Sequence, residues 1–119
     1  MTPRVARISV LLSIVLLFGI SYAQVATLSW DAPTTNEDGT PLTDLEGYRL
    51  YGGDNSGGPY VMIEDVGDVL TFDVHNEAWE GQTKYFVATA YDTSGNESVY
   101  SNEVVKTFPM VAPNPPILR

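Results

Sequence analysis

Apolar and polar residues alternate along most of the chain after residue 24, and a period of two is the spacing of β-strands with one buried face. Ala26, Leu28 and Trp30 alternate with polar residues in the first such run. Turn-forming Gly, Pro, Asn and Asp residues separate this run from the later ones. The predicted strands are residues 25–30, 46–52, 60–66, 69–75, 83–91 and 99–107. Short strands at this spacing predict an all-β domain of the sandwich or barrel type.

The beginning of the chain follows a different pattern. Arg4 and Arg7 precede an almost wholly apolar run over residues 8–20, and Ser21-Tyr22-Ala23 ends it with small residues at its first and third positions. This order is typical of a secretory signal peptide, and the apolar run is short for a membrane helix. We expect cleavage after Ala23, with an uncleaved anchor as the alternative, and hence a secreted or periplasmic/extracellular protein.

The whole chain then divides into three predicted parts. They are a signal peptide over residues 1–23, one domain over residues 24–107 and a Pro-rich tail over residues 108–119. The tail is expected to act as an extended linker because prolines favour extended conformations.

Composition excludes several classes of function. The chain has 15 acidic and 6 basic residues and a formal net charge of −9. Without Arg4 and Arg7 the mature part keeps all 15 acidic residues against 4 basic ones, a net charge of −11. Such a surface repels nucleic acid and anionic lipid headgroups. The chain has no cysteine and one histidine, which removes disulfides and the usual zinc sites.

Four segments resemble strands and turns of fibronectin type III domains. They are TLSWDAP (27–33), EGYRLY (46–51), FVATAYDTSGNES (86–98) and YSNEVVKT (100–107). The resemblance covers about residues 25–107 and implies an immunoglobulin-like β-sandwich in which the first strand of the family, strand A, is short or missing. It also implies a core built on Trp30, Tyr48, Leu50, Phe72 and Phe86. Modules of this kind serve as spacers, adhesive parts or companions of polysaccharide-active enzymes.

The register of the strand at residues 83–91 can be counted in two ways. Counting back from the turn at 92–98 puts Phe86, Ala88 and Ala90 inside and Lys84 at the position where the family has a conserved tyrosine. Counting forward from Trp79 puts Tyr85 there instead. A slip of one residue reverses every side chain of a strand. We favour the first register because the downstream motif is the longer match.

That register predicts a row of exposed tyrosines. Tyr85 and Tyr91 then point outward, and Tyr51 on the neighbouring strand joins them. Exposed aromatic rows can stack on sugars or contact proteins, whereas the alternative is ordinary pairing of side chains across a sheet. Trp79 is a further binding candidate, or it closes the base of the core.

Two loops carry candidate calcium ligands. Asn36 and Asp38 lie in one loop, Asp92 and Asn96 in the other, and in the resembled fold both loops sit at the same end. Oxygen ligands from both could bind calcium. The simpler interpretation is that Asn and Asp form turns here, so no cofactor is required.

The sequence carries no catalytic motif. It has no nucleophile elbow and no phosphate-binding loop, and His75 is interpreted as a surface residue. We therefore expect a non-catalytic binding or adhesion module for a protein or polysaccharide. The alternatives are a carbohydrate-binding accessory to a separate enzyme, and a structural module that assembles head to tail by donating residues 108–119 as a strand to the next molecule.

Overall fold

The computed structural model describes residues 25–119, so the predicted signal peptide and any strand before residue 25 lie outside the described residues. Six strands and one short 3-10 helix follow one another along the chain. They are β1 (Val25–Ser29), β2 (Leu45–Gly53), β3 (Val61–Gly67), β4 (Thr71–His75), the 3-10 helix (Glu77–Trp79), β5 (Thr83–Asp92) and β6 (Val104–Thr107). Within residues 25–119, no helix has the length and apolar character that crossing a membrane requires.

The strands form two antiparallel sheets. One sheet contains β1 and β4, and the other has the order β3-β2-β5-β6. The core cluster between them is built from residues of both sheets, with Ala26, Leu28 and Val74 on one side and Leu50 and Phe86 on the other. The expected all-β architecture of two packed sheets is thereby confirmed.

The favoured register of β5 is the observed one. Leu50 of β2 lies opposite Ala88 of β5, and Gly52 lies opposite Phe86. Leu50 and Phe86 are almost fully buried, and Ala88 packs against the same core cluster. A Cβ atom at Gly52 would lie 2.7 Å from Ile63 Cδ1 and 3.2 Å from the Phe86 ring. Glycine therefore stands at this inward position because those two side chains already fill the space.

Lys84 is the inward-facing residue at the base of β5, and it is only 8% exposed. Its ammonium group pairs with the Asp54 carboxylate and lies 4.8 Å from the centre of the Trp79 ring. Both contacts offset the cost of burying a polar group. The inward direction of Lys84 is the one that the favoured register predicts.

The predicted boundary at residue 107 separates Phe108 from the core to which it belongs. Phe108 is 0% exposed, and its ring centre lies 5.5 Å from that of Trp79 and 6.4 Å from that of Phe86. Its amide donates to the Gln82 carbonyl, and its carbonyl accepts from the Gly81 amide, each at 2.8 Å. The interpretation of residue 108 as part of an extended linker is therefore wrong. Trp79, in turn, closes the base of the core.

The last strand is shorter than predicted because two serine side chains, and not backbone carbonyls, accept hydrogen bonds from β5 along its expected first part. The amide of Ala88 donates to Ser101 Oγ at 2.9 Å, and that of Ala90 donates to Ser98 Oγ at 3.0 Å. The two hydroxyl oxygens thus give these backbone amides of β5 the acceptors that the carbonyls of a longer strand would have supplied. Pairing between β5 and β6 therefore begins only at Val104, and the prediction of a strand from residue 99 is wrong.

Candidate functional site

Three tyrosines meet on the outer face of the four-stranded sheet. The ring centre of Tyr100 lies 5.1 Å from that of Tyr51 and 5.3 Å from that of Tyr60, and both pairs meet edge to face. Tyr51 belongs to β2, Tyr60 immediately precedes β3, and Tyr100 lies between β5 and β6. We refer to these three residues as the tyrosine cluster. Tyr100 is its most open member, with 47% of its surface exposed.

Glu97 holds one side of the tyrosine cluster. Its carboxylate accepts hydrogen bonds from the Tyr51 hydroxyl, from Thr89 Oγ1 at 2.6 Å and from Arg49 Nη1 at 3.0 Å. Thr89 is buried although it faces away from the core. The segment that carries Glu97 and Tyr100 therefore covers the middle of the outer face.

Glu103 holds the other side in the same way. Its carboxylate accepts hydrogen bonds from the Tyr60 hydroxyl, from Ser56 Oγ at 2.7 Å and from the Gly57 amide at 2.8 Å. These bonds fix the loop between β2 and β3 against the segment that precedes β6. Two of the three tyrosine hydroxyls are thus engaged within the protein, and the ring edges and faces remain to make outside contacts.

Hydrogen bonding shifts the pKa values of these groups in opposite directions. Bonds from Thr89 and Tyr51 hold the pKa of Glu97 below its ordinary value, and the bond from Tyr60 does the same for the pKa of Glu103. Donation to the carboxylates raises the pKa of Tyr51 and of Tyr60. At neutral pH the phenols therefore stay protonated and the carboxylates ionised, which is the state that this network requires.

Replacing Glu97 by glutamine is expected to weaken the acid dependence of stability. A carboxyl group with a lowered pKa in the folded state stabilises the fold above its unfolded pKa of about 4.3, and this contribution is lost as the pH falls through the lower folded value. Urea unfolding at about pH 7 and about pH 3 should therefore show a smaller drop in the free energy of unfolding for Glu97→Gln than for the wild type. The matched control is Glu64→Gln, at an exposed carboxylate in β3 with no side-chain hydrogen bond within residues 25–119. Equal drops for wild type and Glu97→Gln would refute the role of Glu97.

The predicted tyrosine row is divided by the structure. Tyr51 joins the tyrosine cluster, whereas the Tyr91 hydroxyl donates to Asp65 Oδ1 at 2.7 Å and its ring lies 4.0 Å from the Arg49 guanidinium. Tyr85 lies opposite Gly53 and Val105, and within residues 25–119 neither it nor Tyr91 packs ring to ring with Tyr51. Sequence reasoning missed Tyr60 and Tyr100, because it placed them within the strands at 60–66 and 99–107, whereas in the structure Tyr60 precedes β3 and Tyr100 precedes β6.

The two loops proposed to bind calcium do line one common cleft. Asp38, however, accepts bonds from the amide and hydroxyl of Thr40, and Asp92 accepts bonds from Ser94 and Asn96. The Asn36 amide bonds to Thr40 and Pro41. Across residues 25–119, no three acidic or histidine side chains come close enough to hold a metal ion. Calcium binding by Asn36, Asp38, Asp92 and Asn96 stays a prediction, and the four side chains act here as turn formers.

The same cleft contains an aromatic pair with unused polar atoms. Trp30 and Tyr48 meet edge to face with ring centres 5.5 Å apart. The Trp30 indole nitrogen and the Tyr48 hydroxyl are both buried and have no hydrogen-bond partner in the described part of the chain. Burial raises the pKa of Tyr48, with a smaller contribution from Asp68. Such groups are rare in native proteins because each loses its bonds to water without replacement.

Removing the hydroxyl of Tyr48 is therefore expected to leave the domain at least as stable. Tyr48→Phe keeps the ring and deletes an unpaired buried group, so the free energy of unfolding should stay level or rise by up to about 1 kcal/mol. The matched control Tyr51→Phe deletes a hydroxyl that donates to Glu97 and should lower the free energy of unfolding by about 0.5–1.5 kcal/mol. Denaturant unfolding measures both variants. A loss in Tyr48→Phe as large as that in Tyr51→Phe would show that the Tyr48 hydroxyl has a partner in the folded protein.

Comparison with known proteins finds similarity to solved structures. The chain is similar to a solved structure described as a Fn3-like protein from Clostridium thermocellum, with a TM-score of 0.54 and 25% sequence identity over 77% of this chain and 84% of that chain. No family model matches the chain, and no curated protein does.

Proposed function

Because the described residues form a domain of the fibronectin type III kind, we propose that the chain is a non-catalytic, extracellular binding module whose tyrosine cluster contacts a partner protein. The observation that carries this proposal is a group of three aromatic rings on the outer face, with Tyr100 exposed and Tyr51 and Tyr60 half-buried, that carboxylates hold in place. Aromatic side chains dominate the energetics of protein interfaces. Rings that are already fixed lose less conformational entropy on binding.

A large apolar residue extends the tyrosine cluster at the edge of the sheet. Met62 of β3 is mostly exposed and lies opposite Tyr51 in the sheet register, so both side chains are on the outer face. Exposed aromatic and apolar groups that adjoin one another are typical of protein-binding patches. Methionine adds to this because its flexible side chain adapts to many surfaces.

The geometry favours a protein over a polysaccharide as the partner. The planes of Tyr51 and Tyr100 meet at 65°, and those of Tyr60 and Tyr100 meet at 79°. Sugar rings stack on the faces of aromatic rings, so an extended polysaccharide is best served by faces that lie in one plane. Two of the hydroxyls are also occupied by carboxylates and are not free to bond to sugar hydroxyls. Edges and faces presented at steep angles suit the irregular surface of a protein.

An extracellular location is supported by the sequence of the first 23 residues. Their basic, apolar and small-residue order is that of an export signal. The strongly acidic remainder favours solubility and opposes binding to nucleic acid and anionic membranes. Detection of the mature chain, beginning at Gln24, in the medium or periplasm of the producing cell tests this part of the proposal.

Site-specific photocrosslinking tests the role of the tyrosine cluster. A benzoylphenylalanine residue replaces Tyr100 in one variant and Leu70, a half-exposed residue near the opposite sheet, in the control. On the cells that produce the protein, a discrete protein adduct is expected from position 100 and none from position 70. Introducing Tyr51→Ala into the position-100 variant should reduce the adduct. Adducts from position 70 alone, or binding to a polysaccharide panel that is lost in Tyr100→Ala, would contradict a protein partner.

Head-to-tail assembly is a second candidate that one observation favours. Ile117 and Leu118 are almost fully exposed in a segment with no strand pairing, and within residues 25–119 β1 pairs on one side only, with β4. A donated tail could pair with the other edge of β1. The mass in solution of the full chain should then exceed that of a variant ending at Val111, which retains Phe108. Identical monomeric masses would end this candidate.

A further inference from the structure

A cleft of about 770 Å³ lies at the end of the domain where the loop at residues 31–44 meets residues 88–101. Its volume falls within the range of small-ligand sites, roughly 300–1,000 Å³. Trp30, Tyr48 and Ala88 contribute to its lining, together with the apolar side chains of Leu42 and Val99. The cleft is a different surface from the exposed faces of the tyrosine cluster.

The two polar groups without partners belong to this cleft. Tyr48 is 2% exposed, and neither its hydroxyl nor the Trp30 indole nitrogen has a hydrogen-bond partner within residues 25–119. Both atoms are shielded from solvent by the side chains around them, so a ligand has to displace some of those side chains to reach them. Residues 31–41 are exposed and add little to the core. A ligand that places a hydrogen-bond acceptor at the indole N–H and a hydrogen-bond partner at the phenol hydroxyl would satisfy both of these buried groups.

The charge of the lining defines which ligand fits. Its charged residues are all acidic, with no Lys, Arg or His among them: Asp31, Glu37, Asp38, Asp44, Asp92 and Glu97. Within residues 25–119, Asp31, Glu37 and Asp44 make no side-chain hydrogen bond and no ion pair, so their carboxylates are free to accept. Such a rim repels phosphate, sulfate and carboxylate ligands and attracts cations. The acceptor that meets the indole must therefore be uncharged and belong to a ligand that is positive elsewhere.

We propose that this cleft binds a basic peptide segment. A backbone carbonyl of the segment accepts from the Trp30 indole N–H, and its Lys or Arg side chains pair with Asp31, Glu37 and Asp44. A peptide is favoured over a cationic sugar because the Trp30 ring packs against Tyr48 and the core cluster and is not a free stacking platform. Glu97 lines the cleft and also bonds to Tyr51, but the proposed peptide contacts use none of the three tyrosines of the cluster, so the two sites are tested separately.

The two indole N–H signals in a ¹⁵N spectrum provide the readout, since the chain has two tryptophans. The probe is a short blocked peptide of alternating lysine and alanine. The Trp30 signal is expected to shift in a saturable way, whereas that of Trp79, packed between Phe86 and Phe108, should stay in place. The matching peptide of alternating glutamate and alanine should move neither signal. No shift at Trp30, or equal shifts at both tryptophans, would overturn the proposal.

Two variants distinguish a specific binding site in the cleft from general attraction of a basic peptide to an acidic protein. Tyr48→Phe is expected to weaken binding about threefold to tenfold, the loss of one hydrogen bond. Asp31→Asn combined with Asp44→Asn should weaken it about tenfold or more, because charge-assisted bonds are stronger. The control Glu64→Gln, at an exposed carboxylate outside the cleft lining, should bind like the wild type. Equal affinity of wild type and Tyr48→Phe would overturn the proposal. So would a trimer of glucosamine that shifts Trp30 where the peptide does not.

Discussion

Replacing Phe108 by alanine is expected to lower the free energy of unfolding by about 3–5 kcal/mol, the usual cost of removing a buried phenylalanine. The side chain is fully buried between Trp79 and Phe86, so its removal leaves a cavity at the base of the core. The chain has no disulfide to compensate, because it has no cysteine. Denaturant unfolding followed by circular dichroism measures the loss.

Met110 provides the matched control for Phe108. It lies two residues further along the same segment and is 77% exposed, so Met110→Ala should change stability by less than about 0.5 kcal/mol. A chain that ends at Thr107 should be destabilised at least as much as Phe108→Ala, whereas one that ends at Val111 should stay folded. If Phe108→Ala were as mild as Met110→Ala, Phe108 would belong to the tail and not to the domain.

Leu50→Ala should cost about 2–5 kcal/mol, as expected for a leucine in a packed core. Leu50 lies at the centre of β2, opposite Ala88, and is almost fully buried in the core cluster. Ala26, Leu28 and Val74 of the other sheet belong to the same core cluster, so removing the leucine side chain leaves a cavity between the two sheets. The change is measured by denaturant unfolding, with Leu70→Ala, at a half-exposed residue, as the control for generic loss of a leucine.

The adjacent residue tests which side of β2 faces the core. Tyr51 lies on the outer face, where its ring contacts Tyr100 and its hydroxyl bonds to Glu97. Tyr51→Ala therefore loses an aromatic pair and one hydrogen bond, about 1–3 kcal/mol in total, and leaves the core intact. If Tyr51→Ala were the more damaging of the two, the strand would be paired one residue out of register.

Much of the fold could be predicted from the sequence, in part because apolar and polar residues alternate along its strands. The alternation of Ala26 and Leu28 with exposed residues gave the correct face of β1. In β5 the outward-facing Val87 and Thr89 are buried as well, and the correct register came from the longer match of the downstream motif. Alternation reports burial of one face directly. The two-sheet architecture follows from it, since each apolar face needs another to pack against.

The sequence predicts Phe108 to belong to the tail because its neighbours along the chain are typical of a linker, whereas its neighbours in the fold are core residues. It precedes Pro109 and begins a segment rich in proline, which is typical of linkers. One feature of the sequence favours a place in the domain, since Phe108 continues the even-numbered positions of β6 and would face the same side of the strand. A single large aromatic residue at the end of a weakly patterned strand was outweighed by the prolines that follow.

The tyrosine cluster could be predicted only in part because long-range contacts assemble it. The strand period identified Tyr51 as outward-facing. Tyr60 and Tyr100 fall within the predicted strands at 60–66 and 99–107, but in the structure both stand in irregular segments, where the period does not set the direction of a side chain. The carboxylates of Glu97 and Glu103 looked like ordinary solvated charges in the sequence. Their bonds to tyrosines and serines more than 40 positions away depend on how the loops fold back over the sheet. The unpaired atoms of Trp30 and Tyr48 are likewise visible only in three dimensions.

The fold and the proposed binding surface both require that the four-stranded sheet separates two aromatic groups, one in the core and one on the outer face. Nuclear Overhauser contacts between aromatic rings measure this separation directly. Cross-peaks are expected between Trp79 and Phe108 and between Tyr51 and Tyr100, whose ring centres lie 5.5 Å and 5.1 Å apart, and none between Tyr85 and Phe108. Contacts of Tyr85 with Phe108, without contacts between Tyr51 and Tyr100, would show that β5 has its faces exchanged and would contradict the fold and the binding surface together.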